Sequence, residues 1–341
     1  MTLRGCEHLK AIKLGGEKAA DVVVERGSLD RIEEYLDLER RTLVLTDREV
    51  PQKYVDKVCL KSRYPVRVSV WPGEQINSFE NYQRLCEAML DNSFGEGDCI
   101  VAVGGERILA LGGFLAATYK GGIDHYCIPT TFSSQMGNGF FGKSYVSMGK
   151  CANALGALKT PKKVLIDPQA LDTLNERQMA NGFAAAIRLA LTLDKKLFEY
   201  LEKEDIEKDK TIDYIITRAL EVKKYVYCTE GAPSSLADAL TLGDIIAESM
   251  TKTQFSYGER LAIGMLPMCS GEVRIRLRAL LSKVGLPVVW QYDVERLFRD
   301  SLRGKDAEKI PLIMCDEIGR CKRDLLSVPE YHKIIKTVYG G

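Results

Sequence analysis

Residues 97–135 read GDCIVAVGGERILALGGFLAATYKGGIDHYCIPTTFSSQ. Within them, Cys99-Ile100-Val101-Ala102-Val103 is a short apolar run that stops at Gly104-Gly105 and passes into Ile108-Leu109-Ala110-Leu111 and Phe114-Leu115-Ala116-Ala117. A brief apolar run closed by glycine predicts a buried strand, and the longer apolar segment behind it predicts a helix, together half of a βαβ unit. A second strand over residues 125–128 then delivers Pro129-Thr130-Thr131 into a loop of small and polar residues, where parallel sheets hold their ligands.

Outward from this unit the same alternation continues. Residues 41–46 form a strand leading to Asp47, and residues 66–71 form another leading to Pro72-Gly73-Glu74. Helices are expected at about 29–38, 51–62 and 79–93. A hairpin is expected over 9–26, turning through Gly15-Gly16. Strands alternating with helices imply an α/β domain around a parallel sheet. Beyond Asp167 the pattern changes to long helical periodicities, with one late hairpin at 310–315 and 320–326. The domains expected are therefore 1–167, Rossmann-like, and 168–341, mainly α-helical.

The chain has 341 residues, with 48 Lys plus Arg against 47 Asp plus Glu. Such a balance gives no electrostatic reason to expect nucleic acid or an anionic membrane as partner. No apolar leader and no run of membrane-spanning length is visible, so a cytoplasmic protein is expected. Ten cysteines occur without CxxC or CxxH spacing, which favours free, mostly buried thiols in a reducing compartment.

The ordered set of motifs resembles the 3-dehydroquinate synthase family of sugar-phosphate cyclases. Its elements are Gly104-Gly105, Gly113-Phe114 with Ala116-Ala117 and Tyr119, Ile128-Pro129-Thr130-Thr131 with Gln135, Gly142-Lys143, Asn153 with Gly156-Ala157, and Val164-Leu165-Ile166-Asp167. Gly73-Glu74-Gln75 on one side, and Leu242-Gly243, Gly258-Glu259 and Ala262-Ile263-Gly264-Met265 on the other, extend the likeness over most of the chain. The resemblance implies a dehydroquinate synthase-like fold, a place in aromatic amino-acid biosynthesis by the shikimate pathway, and a homodimer. It also implies an NAD-dependent lyase that oxidises an alcohol, eliminates phosphate and closes a carbocycle, with zinc held by one Glu and two His.

Carried over position by position, those zinc ligands correspond to Ala185, Asp244 and Tyr257, and the histidines present are His8, His125 and His332. An alanine has no donor atom and zinc favours imidazole, thiolate and carboxylate, so zinc is not expected. Other family side chains correspond to Glu248, Gly137, Gly121 and Ala237. Lys143, Lys223, Lys305, Asn153 and Arg188, the last in place of a lysine, remain as residual substrate-site candidates and are expected to line a cleft. Asp244 and Glu248, four apart, with Tyr257 and Glu259 would suit Mg²⁺ or Mn²⁺; alternatively the acids pair with lysines or with Arg260.

For the cofactor, the resemblance retains Asp47, Gly73, Glu74, Gly104, Gly105, Thr130, Thr131 and Lys143. It departs at Ala110, Asn77 and Ala152, and at the glycine turn itself, which continues as Glu106-Arg107. A carboxylate at a helix N-terminus occupies the end of the dipole that would otherwise favour a diphosphate, unless Arg107 neutralises it. NAD is therefore expected to bind in weakened form. The function expected is that of a 3-dehydroquinate synthase-like protein without zinc-dependent cyclase activity, holding a small phosphorylated or carboxylated ligand. An active NAD-dependent cyclase and a dehydrogenase of the same architecture are the alternatives.

Overall fold

The computed structural model describes residues 12–13, 20–73, 75–137, 139–149, 151–229, 231–250, 253–289, 293–303 and 308–339. The chain divides into two compact units, Met1–Leu174 and Asn175–Gly341. The expected division at 167/168 thus precedes the 3-10 turn Pro168–Thr173, which goes with the first unit.

In the first unit the strands and helices are β1 (Ile12–Lys13), β2 (Asp21–Val24), β3 (Arg41–Asp47), α1 (Gln52–Lys61), β4 (Tyr64–Val70), α2 (Phe79–Asp91) and β5 (Cys99–Gly104). They continue with α3 (Glu106–Thr118), β6 (Asp124–Pro129), α4 (Phe132–Gln135), β7 (Lys143–Met148), β8 (Cys151–Leu158) and β9 (Lys163–Ile166). Seven strands form one sheet in the order β1-β2-β9-β6-β5-β3-β4, parallel except for β1 against β2. Every residue of β5 is buried, as is all of β3 after Arg41, which explains why these strands read as unbroken apolar runs. Gly112 lets α3 approach the sheet: a Cβ there would stand 2.8 Å from the Cβ of Ala102.

Two expectations in this unit are corrected. The helix expected at about 29–38 is a 3-10 helix, Ser28–Glu34, with Gly27 before it at φ 76°. The loop expected after Thr131 contains an antiparallel hairpin, β7 against β8. The strand β8 is exposed or half-buried throughout and built of small residues, so it lacks the alternation that would have revealed it. The turn of the expected 9–26 hairpin lies outside the described residues, but Ile12 pairs with Val22 and Lys13 with Asp21.

In the second unit the elements are α5 (Glu176–Leu193), α6 (Lys195–Lys203), α7 (Asp209–Cys228), α8 (Ser234–Ala239), α9 (Asp244–Ser249), α10 (Tyr257–Met265), α11 (Gly271–Lys283) and α12 (Val294–Ser301), then β10 (Lys309–Glu317), β11 (Arg320–Ser327) and α13 (Val328–Tyr339). The late hairpin is present, β10 pairing antiparallel with β11. Helix α5 begins with a capping box, the Asn175 side chain accepting from Gln178 N–H and the Gln178 side chain from Asn175 N–H. It is buried on nearly all sides between Gly182 and Thr192. Helix α10 begins with a second capping box, Ser256 with Glu259, and packs against both α5 and α9.

Candidate functional site

The first unit has a topological switch point. From β3 the chain crosses through α1 to β4 on one side of the sheet, and from β5 it crosses through α3 to β6 on the other. Open α/β sheets hold ligands outside the carboxyl ends of the strands where this reversal occurs, here at Asp47 and Gly104. Asp47 is buried, and its Oδ1 accepts the N–H groups of Glu49 at 2.8 Å and Val50 at 3.2 Å. Burial pushes its carboxyl above the usual carboxylate range, and these two bonds act against the shift.

Gly104 ends β5 at φ 157°, and Gly105 caps α3. Thr130 N–H donates to Gly104 O at 3.1 Å, and a Cβ on Gly105 would stand 3.4 Å from Thr131 Cγ2. The glycine turn and the two threonines are thus neighbours. Glu106 occupies the first turn of α3. Arg107, which the sequence allowed as its neutralising partner, points to Gly73 and donates to its carbonyl at 3.0 Å. Glu74 lies outside the described residues.

Asn77, where the family resemblance implies a lysine, is buried and donates to Tyr145 O at 3.3 Å and Asn153 Oδ1 at 3.2 Å. Asn153 itself has φ 51°, and its N–H donates to Ser147 Oγ at 3.1 Å. Lys143, at the start of β7, is exposed. The contact between Asn77 and Asn153 had no signal in the sequence beyond the departure at Asn77.

In the second unit, Asp244 opens α9 and Tyr257 opens α10. Arg188 is on α5, three residues and therefore about one turn beyond Ala185. Arg188 is 9% exposed, and its Nη1 lies 2.5 Å from Asp244 Oδ1. The Tyr257 hydroxyl donates to the same oxygen at 2.8 Å. The positions that correspond to two zinc ligands are therefore tied to a guanidinium. Desolvation raises the Tyr257 phenol pKa; the Arg188 charge acts next and in the opposite sense, and the nearby Asp244 charge adds to the rise.

This arrangement corrects the pairing expected from the sequence: Asp244 is engaged by Arg188, a residue assigned there to substrate. Glu259, considered as an oxygen ligand, instead receives a bidentate bond from Arg177 at 2.8 and 2.7 Å. No group of three His, Cys, Asp or Glu with metal-holding geometry occurs among the described residues. Lys223, on α7, is buried, and Lys305 lies outside the described residues.

Three glycines hold these helices in place. Gly243, at φ 88°, precedes α9, and a Cβ on Gly264 of α10 would stand 2.3 Å from Gly243 O. A Cβ on Gly258 would stand 2.6 Å from Asn181 Cα on α5. Beside Asp244 opens a cavity of about 270 Å³, whose walls include Asp238, Glu248, Met268, Leu312 and Arg323. Asp238 and Arg323 approach across it to 3.7 Å. None of the helices described is long and apolar enough to cross a membrane.

A sequence model of the 3-dehydroquinate synthase N-terminal family matches residues 67–181. The 3-dehydroquinate synthase of Thermoanaerobacter pseudethanolicus is 30% identical over 322 residues, covering 87% of this chain and 90% of the relative. Among solved structures, a 2-deoxy-scyllo-inosose synthase complexed with carbaglucose-6-phosphate, NAD+ and Co2+ has a TM-score of 0.85 at 18% identity, covering 96% of this chain and 99% of that one. The 2-epi-5-epi-valiolone synthase of Streptomyces hygroscopicus, with NAD+ and Zn2+ bound, has a TM-score of 0.80 at 19% identity, covering 96% and 98%. Ordered motifs, a switch point at the glycine turn and sequence similarity over most of the chain agree, and the chain belongs to the 3-dehydroquinate synthase family.

Proposed function

We propose that this family member lacks the zinc-dependent cyclase activity and binds a small phosphorylated or carboxylated molecule without turning it over. The observation that carries this reading is the double occupation of Asp244 Oδ1 by Arg188 and Tyr257. Zinc does not fit that set: Ala185 offers no donor, and a phenol whose pKa is raised stays protonated at neutral pH. The guanidinium also places a positive charge against the carboxylate a metal would need.

NAD is supported by the crevice at Asp47 and Gly104 and by the adjoining Thr130 and Thr131. When bound it would supply hydride acceptance from an alcohol carbon. The backbone N–H groups at the start of α3 would face the diphosphate, and the Glu106 carboxylate beside them weakens that contact. Retention of this crevice favours a second reading, an active NAD-dependent enzyme of the family. Lys143, Asn153, Lys223, Lys305 and Arg188 are our candidates for anion contacts, and we propose a cytoplasmic homodimer.

The test is phosphate release from 3-deoxy-D-arabino-heptulosonate 7-phosphate with NAD, with zinc, cobalt or manganese supplied in turn. We expect no turnover; multiple turnover under any condition would establish the second reading instead. Calorimetry with NAD and with the phosphorylated substrate measures binding separately from chemistry.

A further inference from the structure

Three of the ten cysteines meet in the second unit, outside every motif discussed above. Cys269 follows the 3-10 turn Leu266–Met268, Cys315 is on β10 and Cys321 on β11. Cys269 and Cys315 face each other across an isolated parallel bridge, and Ser270 N–H donates to Cys315 O at 3.3 Å. On the other side, the hairpin pairs Met314 with Lys322 and, past an irregularity, Glu317 with Arg320. The irregularity leaves Cys315 and Asp316 together opposite Cys321, so Cys315 neighbours Cys321 across the hairpin and Cys269 across the bridge.

The ladder pairs that flank this irregularity stand about 4.5 to 5.5 Å apart at Cα, and a disulfide spans about 4.4 to 6.8 Å, so the two strands run at a separation that a disulfide bridges. Cys269 and Cys315 are fully buried, whereas Cys321 is half-buried. The hairpin also leans on α5, since Gly319 N–H donates to Leu191 O at 2.8 Å and Cys315 Sγ reaches the same carbonyl at 3.6 Å.

We propose that this cluster is an oxidation site in which Cys315 and Cys321 form a reversible cross-strand disulfide, with Cys269 as an exchange partner. The oxidant is a hydroperoxide. One sulfur attacks its terminal oxygen, a sulfur–oxygen bond forms, the oxygen–oxygen bond breaks, and the leaving oxygen departs protonated as water or an alcohol. The neighbouring thiol then attacks the oxidised sulfur, a sulfur–sulfur bond forms, and the hydroxyl leaves as water. Two thiols lose two electrons and two protons, which the peroxide takes up. Because Cys315 lies between the other two, a Cys269 thiolate can attack Cys315 sulfur, release Cys321 and move the disulfide inward without further oxidant. Thiol contact within a cooperative fold is what permits this where scattered cysteines would proceed to sulfinic acid.

The experiment treats the full chain with hydrogen peroxide, blocks free thiols and maps peptides by mass spectrometry. The expected result is a loss of two free thiols per chain, with Cys315 linked to Cys321 and restored by dithiothreitol. Cys315→Ser should abolish the intramolecular disulfide altogether, while Cys321→Ser should divert it to Cys269–Cys315. Circular dichroism of both variants establishes that they are folded; if Cys315→Ser is not, Cys321→Ser alone decides by showing or lacking the diverted bond. Oxidation that gives only sulfinic acid, or a disulfide through exposed Cys151 between chains, would overturn the proposal.

Discussion

Arg188 Nη1 stands 2.5 Å from Asp244 Oδ1, so that an arginine on α5 neutralises a carboxylate on α9 at a position where the family resemblance implies a metal ligand. The side chains are 11% and 22% exposed, and neither charge has enough water to be solvated alone. A buried pair is weak grounds for stability in itself, but removing one partner leaves the other charge uncompensated.

Asp244→Ala is accordingly expected to destabilise the protein by about 3 kcal/mol, near the low end for breaking a buried pair because Asp244 retains some solvent contact. Replacing both residues, Arg188→Met with Asp244→Leu, should recover most of that loss. Urea unfolding of the two variants beside wild type measures both. A double variant no more stable than Asp244→Ala would show that the charge pair does not control this site.

Metal content provides a second check. Protein purified without added metal is expected to hold far less than one zinc per chain. Combining Ala185→Glu, Asp244→His and Tyr257→His with Arg188→Lys supplies three zinc-compatible donors and removes the guanidinium fork from their midst. Zinc uptake measured by mass spectrometry of the metal should rise; unchanged uptake would mean that these three positions do not converge as the resemblance implies.

Glu106→Gly should tighten NAD binding. The carboxylate lies in the first turn of α3, and a negative charge there interacts with the helix dipole by about 0.3 to 1 kcal/mol. That corresponds to roughly two- to fivefold in affinity once the carboxylate no longer repels the diphosphate. Isothermal titration with NAD tests this without any turnover, and weaker binding by the variant would refute it.

His125 makes stability depend on pH. It is buried on β6, and desolvation, followed by repulsion from Lys159, lowers its pKa to about 3. In the unfolded chain an imidazole titrates near 6.5, so below that pH the unfolded state binds a proton that the folded state refuses. The contribution is fully present above pH 6.5 and is lost as pH falls, at about 1.4 kcal/mol per unit. Between pH 6.5 and 5 wild type should therefore lose more stability than His125→Leu. Parallel losses in the two proteins would rule the effect out.

Gly264→Ala would drive a methyl group into Gly243 O, which stands 2.3 Å from the Cβ position. Helices α9 and α10 must separate, at an expected cost of about 1 to 3 kcal/mol, and the bond from Tyr257 to Asp244 should weaken with them. Thermal unfolding gives the cost. A variant as stable as wild type would mean that this contact relaxes freely.

How much of this was legible beforehand depended on the range of the interaction concerned. The strand–glycine–helix order of β5 and α3, the parallel sheet and the change to helices after Asp167 follow from local apolar periodicity, which depends on residues within a few turns of one another. The absence of a donor at Ala185 is likewise a property of one residue. The hairpin β7–β8 was hidden because its second strand has no buried face, and the helix after Gly27 because a 3-10 turn shares its composition with an α-helix. Only the tertiary structure decided that Arg188 would turn to Asp244, 56 residues away, that Arg107 would turn to Gly73, and that Cys269, Cys315 and Cys321 would meet. Each of those outcomes depends on how helices and strands distant in sequence pack, and a hydrogen bond or thiol contact of a few ångströms exists only once that packing has set the backbone.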